Sequence, residues 1–127
     1  MSDSKEYISR SDESGSVNIS EDVIATIALE AMRGVDGIGG LSNAHGMDIA
    51  ELLGKKSATK GVKVHVEESN IAIDVHVMSK YGYSVNEVSQ KIQADVADAV
   101  ESMTGLEVSA VNVHISGITF EKEKQQV

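Results

Sequence analysis

Between Val85 and Met103 apolar residues recur at intervals of mostly three and four: Val85, Val88, Ile92, Val96, Ala99, Val100 and Met103. That spacing predicts an amphipathic helix, with Asn86, Gln90, Lys91, Gln93, Asp95, Asp98 and Glu101 largely on its wet side. Ser84 stands at the N-cap with Glu87 three residues on, the capping-box spacing, after a Tyr81-Gly82-Tyr83 turn. Gly105 sits where a left-handed C-cap belongs. Beyond it the period falls to two. Val111, Val113 and Ile115 alternate with Asn112, His114 and Ser116, which predicts a strand with one buried face. The same alternation runs through Val62, Val64 and Val66, and again through Ile71, Ile73, Val75 and Val77. These two runs predict a hairpin. To bring both apolar rows to one face, Val66 must oppose Ile71, with Glu68-Ser69 at the turn; Lys63 then faces Asp74 as an ion pair on the wet side.

Further upstream, Ser16-Val17-Asn18-Ile19 predicts a short strand. Ser20 caps a first helix whose face is Ile24, Ile27, Ala28, Ala31 and Val35, broken or ended at Gly34. The glycine-rich run from Val35 to Gly40 lacks Gly-Lys-Ser/Thr at phosphate-loop spacing, so it reads as a flexible loop that ends the helix. The element order is strand, helix, strand, strand, helix, strand. It predicts an α+β fold: a two-layer sandwich with two helices on one face of a small, mainly antiparallel sheet. Residues 1–14, rich in Ser and charge, read as a disordered tail. Residues 15–120 read as a single domain, and 121–127 as a charged C-terminal tail.

Composition narrows the chemistry. Aromatics are 3% of the 127 residues, so the core must be aliphatic. With no Cys there is no disulfide, thiolate nucleophile or thiolate zinc site. The apolar runs are far short of a bilayer span, Met1-Ser2 gives no myristoylation signal, and the N-terminus is not a signal peptide. These features predict a cytoplasmic protein without direct membrane insertion. The formal net charge of −9 opposes both a phosphate backbone and anionic lipid. The candidate interaction surface is the polar side of the strands: Lys63, His65, Asp74, His76 and His114. Were the three histidines to converge beside Asp74 they could hold a metal; a solvated sheet face is the ordinary reading. The chain shows no catalytic constellation and no cofactor motif, so neither an enzyme nor a cofactor is expected.

The series Gly15-Ser16-Val17-Asn18-Ile19-Ser20-Glu21-Asp22-Val23-Ile24, Gly34-Val35-Asp36-Gly37-Ile38, Lys60-Gly61-Val62-Lys63-Val64, Ile73-Asp74-Val75-His76-Val77, Tyr81-Gly82, Ile92-Gln93, and Met103 to Val108 leading to Val111-Asn112-Val113 resembles the alkaline-shock, envelope stress response protein family of Gram-positive bacteria. The resemblance covers about Gly15 to Phe120. Family members often carry Pro near position 85, where this chain has Val85, a difference confined to the helix start. The resemblance implies a small cytoplasmic, membrane-proximal protein without catalytic activity. Its partner would be a membrane-anchored protein, or it would self-associate. It also implies a role in envelope homeostasis or, alternatively, in regulating fatty-acid synthesis. A small RNA-binding domain is the rival from another class, but base stacking needs sheet aromatics. The outward strand residues Lys63, His65, Glu67, Asp74, His76, Asn112 and His114 offer none of the usual Phe, Tyr or Trp. Tight RNA binding with a steep salt slope would favour that rival, and stoichiometric bound metal would favour a metal-dependent enzyme.

Overall fold

Two serines start the helices. Ser20 Oγ accepts from the N–H of Val23, and Ser84 Oγ from that of Glu87 at 3.2 Å. In the computed structural model, which describes residues 7–41, 61–67 and 70–120, they head α1 (Glu21–Met32) and α2 (Val85–Thr104). The strands are β1 (Tyr7–Asp12), β2 (Gly15–Ser20), β3 (Ile38–Leu41), β4 (Val62–Val66), β5 (Asn70–Lys80) and β6 (Glu107–Thr119). Gly105 closes α2 at φ 77°, a conformation that costs a residue without Cβ little.

β5 is the hub of the sheet. β6 lies parallel along its whole length, from Asn70 opposite Glu107 to Lys80 opposite Thr119. β4 pairs antiparallel with residues Ile71 to Val75, and β3 with Val77 to Ser79. A strand has two edges, so β3 and β4 share one edge of β5 end to end, and β6 takes the other. The predicted register of the hairpin holds: Val66 opposes Ile71 and Lys63 opposes Asp74. The expected turn residues Glu68-Ser69 lie outside the described residues. The fold is α+β, and three of its four strand pairings are antiparallel.

The helices share one face of this sheet. α1 packs against α2 and β4, and α2 packs against β6. Ile71, Ile73, Val75 and Val77 of β5 are buried, with Ile92, Val96 and Val100 of α2 and Ile24, Leu29 and Met32 of α1 in the same core. The buried stripe of α2 is narrower than predicted. It runs Val88, Ile92, Val96, Val100 and Thr104, while Val85 lies exposed and Met103 is 71% exposed. That of α1 is wider and adds Ala25, Leu29 and Met32, because this helix meets β4, α2 and β2.

Three expectations are corrected. Residues 7–12, read as disordered tail, form β1 and pair with β2 from Tyr7–Ser20 to Asp12–Gly15. Ile8 stands opposite Ile19 and enters the core at 8% exposure. The turn is tied by Asp12 Oδ1 accepting from the N–H of Ser14. Secondly, β2 joins this hairpin and not the central sheet, so the order is ββαβββαβ in place of βαββαβ. Thirdly, the glycine run is a loop only over Val35 to Gly37, and its second half, from Ile38, is strand β3. Gly39 and Gly40 carry no side chain, so the alternation that betrays a strand cannot appear there. A Cβ on Gly37 would sit 2.6 Å from a Val88 methyl, a close approach only glycine allows. Residues 1–6 and the expected C-terminal tail 121–127 lie outside the described residues.

Candidate functional site

The helices cover one face of the sheet. On the other, by strand alternation, stand Lys63 and His65 of β4, Ala72, Asp74, His76 and Met78 of β5, and Ala110, Asn112 and His114 of β6. Register puts Asn112 beside Asp74 and His114 beside His76. The polar side chains assemble around Asp74. Asn112 Nδ2 donates to Asp74 Oδ1 at 2.8 Å, and His65 Nε2 lies 2.9 Å from Oδ2. His114 Nε2 approaches Oδ1 at 4.0 Å, while its ring stacks on that of His76 with centroids 4.5 Å apart and planes 13° apart. At the far end of the face Ser116 Oγ reaches Met78 Sδ at 3.7 Å.

Four of the five candidate residues are therefore drawn together: His65, Asp74, His76 and His114. Lys63 holds its predicted register but, among the described residues, is not a hydrogen-bond or ion-pair partner of Asp74. The carboxylate instead takes the diagonal imidazole and the amide from the opposite edge. Asn112 is the participant whose role could not be read from the sequence. Its place beside Asp74 needs the parallel β5–β6 register, and alternation alone cannot tell which strands are neighbours. His65 and His114 approach the Asp74 carboxylate, and His76 reaches the group only by stacking on His114. Among the described residues no group of three or more His, Asp or Glu side chains is arranged to hold a metal ion. No hydroxyl or amine among the described residues is hydrogen-bonded to His65.

The Asn112 hydrogen bond, then that from His65, hold the Asp74 carboxyl below its ordinary value of 3.8, against a smaller opposing effect of burial. A depressed carboxylate stabilises the fold above its unfolded pKa, and that contribution is lost as pH falls through the folded value, here below 3.8. Asp74→Asn should therefore lower the urea midpoint at neutral pH, and the gap from the parent should close as pH is taken below about 4. Parallel midpoint-against-pH curves would refute this. The effect should be small, since the His65 side chain is 51% exposed.

α2 adds two contacts to β6 that sequence patterning also missed. Gln93 Nε2 donates to the Val111 carbonyl at 3.0 Å, and Glu101 Oε2 accepts from the Val108 N–H at 2.9 Å. Both residues fall on the helix's nominally wet side, so the stripe argument passes over them.

Residues 9–120 match the model of the alkaline-shock protein family, described as of cell envelope-related function. The chain is 34% identical over 113 residues to the uncharacterized protein YqhY of Bacillus subtilis, covering 89% of this chain and 84% of that one. It is 36% identical over 107 residues to the uncharacterized protein Spy1535 of Streptococcus pyogenes, covering 82% and 83%. A stress response regulator gls24 homolog of Streptococcus pyogenes is 30% identical over 115 residues, covering 87% of this chain and 64% of that protein. Among solved structures, a MamM CTD superposes at a TM-score of 0.46 with 14% identity over 76% of this chain and 93% of its own. No functional likeness follows at that distance.

Proposed function

The chain belongs to the alkaline-shock protein family, whose function is cell envelope-related, and on that premise we propose that it is a non-enzymatic protein-interaction module of the envelope stress response. It works in the cytoplasm, close to the membrane, and docks there on a membrane-anchored protein. The observation that carries this reading is the helix-free sheet face, on which His65, Asp74, Asn112, His76 and His114 form one polar array. Such a network of half-exposed groups adds little to stability. What it offers is a fixed pattern of donors and acceptors on a broad surface, suited to recognition. No described helix is long and apolar enough to cross a membrane. The net charge of −9 also disfavours anionic lipid, so a protein receptor is the simpler route to the envelope.

Purified protein should fail to float with protein-free liposomes, anionic ones included, and should sediment with native membranes. Replacing His65 and His114 together by Ala should lower the membrane-bound fraction severalfold while leaving the melting curve nearly unchanged. Flotation with lipid alone, or sedimentation indifferent to the double substitution, would overturn the proposal.

A further inference from the structure

We infer that the outer edge of β6, from Val113 to Ile118, pairs antiparallel with the same segment of a second copy of this chain. The first observation is the direction of the main chain. Tyr81 N–H donates to the Thr119 carbonyl at 2.8 Å and Lys80 N–H to the Gly37 carbonyl at 2.7 Å. Odd-numbered residues of β5 thus turn their main-chain groups to β6, and even-numbered ones to β3 and β4. In a parallel ladder the residue opposite such a group faces away. Val111, Val113 and Ile115, opposite Ile73, Val75 and Val77, therefore point their N–H and C=O groups outward. The register shift after Val77 leaves Ser116 as the extra residue, and Ile118, opposite Ser79, points outward again. Among the described residues no strand pairs with this side of β6.

The second observation is that only half of this edge is covered. Glu101 takes the Val108 N–H and Gln93 the Val111 carbonyl. An incoming strand is stopped at Val111 and left with the stretch beyond it. A second copy presents a segment of the same length with the same stop, so pairing about a two-fold axis closes at two chains.

Charge singles out a second copy as the occupant. From Val108 to Thr119 the strand has no Asp, Glu, Lys, Arg or Pro, the residues that usually guard an open edge. In a chain of net charge −9, two copies can approach closely only where charge is missing. Val113 and Ile115 pack against the core beneath the helices, and Ile118 stands 42% exposed at the end of the same row. Pairing there joins two cores under one continuous sheet. This edge is distinct from the polar face, so the inference holds whether or not that face docks on a receptor.

Sedimentation velocity across a concentration series is the test. The full chain should show a reversible dimer that tightens with added salt, as screening weakens repulsion between two acidic copies. Val113→Pro removes an outward N–H and leaves the β5 ladder intact. It should weaken association at least ~10-fold while still melting cooperatively, at a somewhat lower temperature because Val113 packs against the core. Ile118→Lys places a charge on the same edge and should do likewise, which covers the case in which the proline variant fails to fold. A parent that stays monomeric at every concentration overturns the inference. So does a dimer that survives both substitutions. A monomeric variant that still sediments with native membranes would separate this edge from the proposed docking face.

Discussion

Val96→Asp should abolish the cooperative fold. Val96 is wholly buried, at 0% exposure, in the middle of the row Val88, Ile92, Val96, Val100 and Thr104 that α2 turns inward. Its neighbours in the core are aliphatic, so a carboxylate there finds no donor. An unpaired buried charge costs several kcal/mol at the least, even after its pKa has shifted to leave it neutral. A domain of this size holds only about 5–15 kcal/mol in total. Far-ultraviolet dichroism on heating should show no cooperative transition for the variant. Val96→Ala, which leaves a cavity but buries no charge, should still melt cooperatively at a cost of roughly 2 kcal/mol. An unchanged melting temperature for Val96→Asp would mean that α2 presents a different face to the sheet.

Removing residues 1–14 should destabilise the domain by at least about 2 kcal/mol, the lower end for losing one large aliphatic side chain from a core. The truncation takes away Ile8, which is buried against the core, and all of β1, whose six residues pair with β2. β2 would keep its link to α1 but lose its only strand partner among the described residues. Urea unfolding monitored by dichroism reads the effect as a lower midpoint. If the segment were the disordered tail its composition suggests, the midpoint would not move. Ile8→Ala should reproduce much of the loss, which would place it in the side chain and not in chain length.

These two cases show what patterning along a chain can reveal. Val96 was legible because a helix repeats its buried face five times over, and one misplaced member, such as Met103, does not hide the row. The β4–β5 register was legible because parity ties every residue of a hairpin to every other. β1 was not, because a single buried Ile8 among Ser, Arg and Asp establishes no period. The available signal was turn chemistry: Asp12-Glu13-Ser14-Gly15 between Ile8 and Ile19 has the residues of a hairpin turn. β3 hid in its glycines. For the candidate site, alternation identified His65, Asp74, His76 and His114 as sharing a face, since that question is local to each strand. That His114 meets His76 and Asp74 depends on β6 lying parallel beside β5. That pairing is set by the crossover through α2 and leaves no mark on any one strand.

The central position of β5 bears on how the chain is made. Its antiparallel partners β3 and β4 precede it in the sequence, whereas β6 begins only after residues 81–106 have been added. At a synthesis rate of about 5–20 residues per second, an apolar strand with one bare edge waits on the order of seconds for its neighbour. Strands in that position invite pairing with other nascent chains. Asp74 interrupts the run Ile71, Ala72, Ile73, Val75, Val77 at its middle. Its imidazole partner His65 lies upstream, on a strand already emerged, whereas Asn112 arrives last. Throughout the wait, the strand carries a charge that an intruding chain would have to strip of water. The residue at the centre of the polar face is thus also placed to guard the nascent strand before that face is complete.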